Sequence, residues 1–438
     1  MCSLRRSLAL RHLFAEVAPR GSSPGRRRGD HLGEGVVLSV DIEEARTIGW
    51  ALWRVRDARG KSLRVIAGLA GMSKDTLNRI ERGLLSPTLT QIHALAEVLQ
   101  IPVSELTRLP VPAPANGHTD NTTDGVRLAL DAIDVDHPGG LVLPVAVLRH
   151  RVTQIQQRSR ACRFAEVATE LPGLIRDLHT TLATGTDHGE LLGLAVYLHV
   201  HVTRLWLVHA AAPTDLIRRS VFLARHLAQE HGQVTMLSMA GFAVADVLLN
   251  GGAPGLGNIE LDSLTLPPTT ADTAGLVGLV TTTRALAAVL DGRPDDAIAP
   301  MDAAAEIAGR FEATGETDIL GFPLASTNVE FRRVRLALEA KEPDRAVSIA
   351  QNVHPERHPF PVGQAQYWVN YGRALSQLRG RHNDAARALR NAERSHPHRV
   401  RRDPFVRDTI AVLLRHSRRG SPADQELRGM ARRAGLPV

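Results

Sequence analysis

From Arg46 to Leu106 apolar residues recur at three- and four-residue spacing in short runs punctuated by glycine, serine and proline. This period predicts five short helices within about 60 residues. In the central pair, counted from Leu63 as the first position, Ile66, Ala70, Met72, Leu77 and Ile80 take the positions that turn inward. The small Ala67 lets two helices approach, and Gly71 tolerates the positive φ of the tight turn between them. Ser73 follows the turn as an N-cap, which sends Lys74, Asp75, Asn78, Arg79 and Arg82 outward, and Gly83 closes the helix. Thr88 and Gln91 have the T-x-x-Q spacing of a capping box for a helix with Ile92, Leu95, Ala96 and Leu99 inward. The last turn, IPVSEL, packs Ile101 and Leu106.

Beyond this block the pattern breaks over residues 110–125, PVPAPANGHTDNTTDG, whose prolines and small polar residues read as a linker. Helical spacing then resumes in segments near 126–134, 144–160, 164–184, 188–210, 215–230 and 234–249, before the glycine-rich GGAPGLG turn. The second half is self-similar. DGRPDDAIAPMDAAAEIA, EAKEPDRAVSIAQNV and RGRHNDAARALRNAERSHP each place a polar turn before a helix with a small apolar inner face. Ala297, Met301 and Ala304 align with Ala346, Ala350 and Val353, and with Ala385, Leu389, Ala392 and Pro397.

These two patterns carry two resemblances. KSLRVIAGLAGMSKDTLNRIERGLLSPTLTQIHALAEVLQIPVSEL resembles the DNA-binding domain of the lambda-repressor/Cro-like (XRE) family over about residues 47–108. The resemblance implies a recognition helix, 73–82, lying in the major groove of double-stranded DNA. Lys74 and Asp75 would then meet base edges, Arg79 a guanine edge or a phosphate, and Asn78 and Arg82 phosphates. Ser73 and Thr76 share that DNA-binding face, and Ser62 and Leu63 open the preceding helix against a phosphate. Several relatives carry a polar residue where Leu63 stands, so its part shrinks to apolar contact. Residues 275–415 resemble tetratricopeptide repeats, and 126–250 do so more weakly. The equivalent alanines recur at irregular intervals rather than the usual period of about 34 residues. In regulators of this build the repeat groove commonly receives a peptide, protein segment or small molecule.

The expected fold is therefore all-α. It has a basic, disordered head at 1–40, or an over-extended start whose true first residue lies near Val40. A five-helix DNA-binding domain at 41–109, the linker, and a helical-hairpin solenoid at 126–438 follow. The expected function is a cytoplasmic, nucleoid-associated transcriptional regulator that binds an inverted-repeat operator as a homodimer. The alternative is a helical-repeat interaction scaffold with secondary DNA binding.

Composition adjusts this picture little. The net charge is +7, from 53 Lys plus Arg against 46 Asp plus Glu. By segment it is +4 over residues 1–40, +2 over 41–109, −8 over 110–378 and +9 over 379–438. The DNA reading thus rests on spacing and not on bulk charge, and the arginine-rich tail is either an auxiliary phosphate contact or a set of solvated helices. The two cysteines, Cys2 and Cys162, give neither a disulfide framework nor a CxxC zinc motif, so no cofactor or metal is expected. The most apolar stretch, Leu191 to Val200, ends at histidines and Arg204 short of a membrane span, and no membrane partner is expected.

Catalytic motifs fail on spacing, which favours a non-enzyme. GKS at 60–62 lacks the glycine that a phosphate loop needs, since Val55 stands there, and Gly252, Gly255 and Gly257 follow no strand. His199, His201 and His209 point to different sides of one helix, and His354 and His358 are broken by Pro355 and Pro359. Glu81 reads as support for its helix end, and Trp50 and Trp53 read as core.

Overall fold

The computed structural model describes residues 34–107, 121–312, 322 and 325–436. The expected head up to residue 33 and the linker at 110–120 lie outside the described residues. The chain divides into two units, Met1–Asp41 and Ile42–Val438. Of the first, residues 34–41 are described, within helix α1 (Glu34–Ala58). Every regular element among the described residues is helical.

In the second unit the rest of α1 packs with α2 (Leu63–Leu69), α3 (Lys74–Glu81), α4 (Leu89–Val98) and α5 (Val103–Thr107). Their shared core holds Ile48, Leu52 and Val55 from α1, then Ile66, Leu77, Ile80, Ile92, Leu95, Leu99 and Leu106. Leu63, Ala70 and Met72 are half-buried against it. Of the two tryptophans, Trp53 departs from expectation. Trp50 packs partly on this core and also meets Gly292, while Trp53 is exposed, with the Arg54 guanidinium 5.8 Å from its ring.

After α6 (Asn121–Asp134) the chain builds helical hairpins. These pair α7 (Val145–Arg160) with α8 (Phe164–Leu182), then α9 (His188–Leu198) and α10 (Arg204–His209), joined by a π turn, with α11 (Thr214–His231). Next come α12 (Val234–Asn250) with α13 (Pro254–Ser263), α14 (Ala274–Leu290) with α15 (Ile298–Glu312), and α16 (Ser326–Glu339) with α17 (Pro343–Gln351). Last are α18 (Pro361–Ser376) with α19 (His382–Ser395), the short α20 (Pro397–Arg402), and α21 (Pro404–His416) with α22 (Pro422–Arg433). GGAPGLG is shorter as a turn than its glycines suggest, because Pro254 at the first helical position already starts α13.

One packing rule runs through the array. Each second helix also packs on the first helix of the next hairpin, and successive first helices pack on each other, as in α12 with α14, α14 with α16 and α16 with α18. Each hairpin so buries its apolar faces against its neighbours, which gives a stacked helical array with a layer of first helices. The self-similar segments of the sequence are its second helices α15, α17 and α19. Ala304, Ala346, Ala385, Leu389 and Ala392 are fully buried there, and their small side chains let the helices close up.

The helix from His188 to His209 spans 22 residues and is apolar enough to cross a membrane by length and composition. The sequence stretch looked shorter because its histidines interrupt it. These polar groups are accommodated inside the protein: His199 meets His179, His201 lies against Tyr197 and Phe322, and His209 meets His396. Its apolarity is that of a core helix, mostly enclosed by its neighbours. Near the other end His354 pairs with Glu356, and His358 stacks on Phe331, so these two histidines face different partners.

Candidate nucleic-acid interface

The bihelical unit is set by its caps. Ser62 Oγ accepts a hydrogen bond from the Val65 amide at 3.3 Å, and Ser73 Oγ accepts from the Thr76 amide at 3.0 Å. Ser73 and Thr76 also join their hydroxyls at 2.8 Å, which fixes the first turn of α3. Gly71 sits at φ +69° between the helices and Gly83 at φ +65° after α3, where a side chain would be strained. The reciprocal capping box forms at α4: Gln91 N donates to Thr88 Oγ1 at 3.3 Å, and Thr88 N donates to Gln91 Oε1 at 2.9 Å.

Burying Leu77 and Ile80 turns the other side of α3 to solvent. Ser73, Lys74, Asp75, Arg79 and Arg82 are exposed, and Thr76 and Asn78 are half-buried beside them. Ser62 is exposed at the start of α2, with Leu63 half-buried. The structure therefore brings the predicted α3 residues onto one face, with Ser62 at the adjoining helix start. Lys61 and Arg64 flank Ser62 and are also exposed, two cations that the motif positions alone do not single out. Val65 and Leu69, one turn apart on α2, are exposed as well.

Glu81 behaves differently from the other charges of α3. It accepts two hydrogen bonds from Arg56, at 2.7 and 2.8 Å, and Arg56 also donates to the Lys61 carbonyl at 2.8 Å. This bidentate pair ties α1 to the end of α3 and to the turn before α2. The Glu81 hydrogen bonds raise the Arg56 guanidinium above its ordinary range against the opposing effect of burial. Glu81 is support for the helix end, as its position suggested.

The five-helix block rests on the helical array through its other side. Arg54 donates to the Ala340 carbonyl at 3.2 Å and to Glu342 at 2.6 Å. Glu105, only 2% exposed, pairs with Arg373 at 2.7 Å and with Lys341 at 3.4 Å. Ser104 gives both its amide and its hydroxyl to Asp408, at 3.1 and 2.8 Å. These contacts come from α1 and α5 and leave the outward face of α3 open.

A family model described as a helix-turn-helix domain matches residues 47–109. Residues 47–109 form a helix-turn-helix domain. It has the two-helix unit, the capped second helix and the polar outward face of that DNA-binding fold. No curated protein matches the chain. Among solved structures the chain is similar to the crystal structure of Bacillus thuringiensis PlcR in complex with the peptide PapR7 and DNA. That similarity has 13% identity, covers 70% of this chain and 95% of that one, and has a TM-score of 0.29.

Proposed function

We propose that this protein is a transcriptional regulator that reads double-stranded DNA with α3, while its helical array dimerises and senses an effector. The observation that carries the reading is the exposed face of Lys74, Asp75, Arg79 and Arg82 on a capped helix of a helix-turn-helix domain docked by its opposite side. Lys74 and Asp75 meet base edges near the start of the helix, and Arg79, one turn on, reaches a guanine edge or a phosphate. Asn78 and Arg82 hold phosphates, and Ser73 and Thr76 keep the helix start in register with the groove. Ser62 and Leu63, flanked by Lys61 and Arg64, lie against the sugar-phosphate backbone.

Two such domains in a homodimer read the half-sites of an inverted repeat, spaced by about one turn of B-DNA, roughly 34 Å, or multiples of it. The array takes a peptide, protein segment or small molecule, and its occupied and empty states differ in how they hold the two domains. Such a regulator works in the cytoplasm, on the nucleoid.

The test selects bound DNA from a random pool and then compares the selected site with random duplex at physiological salt. The site should bind at least about 1,000-fold more tightly. Lys74→Ala or Arg79→Ala should each cost about 1–3 kcal/mol and relax specificity at one base position if the residue makes a base contact. Equal affinity for the selected and random duplexes would overturn the reading. Cross-linking and light scattering of the intact protein test the dimer.

A further inference from the structure

Arg59 directly follows α1, and its guanidinium reaches the Gln377 carbonyl, just past the end of α18, at 3.5 Å. This contact sets two turns side by side. One joins α1 to α2 and carries Lys61, with Arg64 in the first turn of α2; the other joins α18 to α19 and carries Arg379. Arg379 is two residues beyond Gln377, at most about 7 Å along the chain. The Arg59 guanidinium is held below its ordinary range by burial first and then by the charge of Arg379. At the far side of the second turn, the His382 ring lies 5.5 Å from that of His416, the last residue of α21. A third turn starts there, between α21 and α22, and carries Arg418 and Arg419, with Arg415 just before it. A line of contacts so runs from the helix-turn-helix domain to the last hairpin.

Lys61, Arg64, Arg379, Arg415, Arg418 and Arg419 are all exposed, and their side chains make no ion pair among the described residues. Their neighbours differ: Arg381 and Arg387 share Asp384, and Arg428 pairs with Asp424. Asp424, only 2% exposed, belongs to the third turn itself. It accepts from Ser417 Oγ and the Gly420 amide, each at 2.9 Å, as well as from Arg428 Nε at 3.0 Å. The turn that presents Arg418 and Arg419 is therefore fixed from within. Unmatched cations on three adjoining turns form a strip of one sign, whose field favours a polyanion. Its first two members, Lys61 and Arg64, already lie beside Ser62 at the edge of the DNA-reading face. The array docks away from the outward face of α3, so its cations meet backbone beside the bases that α3 reads.

We propose that Arg379, Arg415, Arg418 and Arg419 continue the phosphate contacts of Lys61 and Arg64 onto the helical array, so that two of its hairpin turns grip the DNA backbone beside each half-site. The proposal rests on the DNA-reading role given to α3 above and adds to it a surface without sequence preference. Contacts to phosphate position a protein and supply affinity, but read no bases.

The experiment follows binding of the full-length protein to the selected site, and to a random duplex of equal length, across a salt series. Arg379→Gln combined with Arg418→Gln and Arg419→Gln should weaken both complexes by a similar factor, at least about tenfold at physiological salt. It should also flatten the slope of log K against log salt by about 2–3. Preference for the selected site over random DNA should match the parent's, which separates this strip from Lys74 and Arg79. Hydroxyl-radical footprinting of the parent should show protected backbone beside each half-site that the variant leaves open. Arg149→Gln combined with Arg310→Gln and Arg333→Gln removes as much charge from arginines already paired with Glu190, Glu306 and Asp302, and should keep the parent slope. An unchanged slope or footprint in the strip variant, or equal flattening in the control, would overturn the proposal. So would an unchanged slope together with lost binding of polyglutamate, which would assign the strip to an acidic protein surface. The replaced side chains are exposed and unpaired, so the variant keeps the parent fold, and the parent footprint needs no variant: protection confined to the half-sites also overturns the proposal. Equal affinity of the parent for selected and random duplexes would remove base reading by α3, while the slopes on random duplex would still decide the strip.

Discussion

Glu105 shows how much a single residue of the helix-turn-helix domain owes to residues far along the chain. It sits in a five-residue helix, yet its carboxylate is enclosed with Lys341 and Arg373, whose side chains are 1% and 7% exposed. A buried ion group of this kind is weak evidence of net stability, but removing one member leaves the others uncompensated. Glu105→Gln should therefore cost about 3 kcal/mol in urea unfolding. It should also split one cooperative transition into two, as the domain loosens from the array. A single unshifted transition would show the group to be incidental. Gly49 is a second such residue, where α1 crosses the end of α3 so closely that a Cβ would overlap the Ile80 and Glu81 carbonyl oxygens. Gly49→Ala should lower stability by about 1–3 kcal/mol, read as a drop in the urea midpoint. Neither role was legible in the sequence. Hydrophobic period reports which face of a helix is inward, and says nothing about how closely two helices cross, as at Gly49, or about partners more than 230 residues away, as at Glu105.

At the scale of the element, local chemistry and sequence agree closely. The caps at Ser73 and Thr88 form where the residue types placed them, because an N-cap depends only on the amides two or three residues on. Ser73→Ala should cost about 1 kcal/mol of stability and weaken DNA binding, whereas Ser73→Asp, which keeps an acceptor, should retain most of the stability. Equal losses in urea titrations of the two variants would separate the cap from the fold of α3. The helices from α7 to α12 likewise end close to where their apolar periods end. The arginine-rich tail was less legible, since neither of its two sequence readings includes an internal acceptor. Arg390, Arg401 and Arg433 converge on Glu393, which is 2% exposed, at 2.8, 3.0 and 2.7 Å. Burial alone would raise that carboxyl, but the hydrogen bonds from Arg433 and Arg401 outweigh it and hold Glu393 down at about 2. Three of the tail's fifteen arginines are thus engaged in joining α19, α20 and α22.

For the molecule as a whole, His199, His201, His209 and His358, which tempt a metal reading, become part of the interior. His179 and His199 meet through their Nε2 atoms at 2.9 Å, and His396 Nε2 meets His209 Nδ1 at 3.1 Å where early and late hairpins touch. Burial pushes His179 down to about 4 and His396 down to about 2, the latter also repelled by Arg399 and His398. His199 and His209 lie well below the ordinary range, again through burial first and then through His179 and Arg399 respectively. In the unfolded chain all four titrate near about 6.5. As pH falls below that value the unfolded state takes up protons that the folded state refuses, so folding stability falls with pH from about 6.5 toward 4. Each such group can contribute up to about 1.4 kcal/mol per pH unit over that window, and Glu393 adds its own loss only at lower pH, below about 4.5. Urea titrations at about pH 7 and pH 5 should therefore show a marked loss at the lower value, since ΔG extrapolates linearly in denaturant. Replacing the first pair together, His179→Leu with His199→Leu, removes two of the four refusing groups without leaving an orphaned partner. The double variant should lose distinctly less stability between the two pH values than the parent, whatever its absolute stability. An equal loss in both proteins would mean that the pair is already protonated, or open to water, in the folded state.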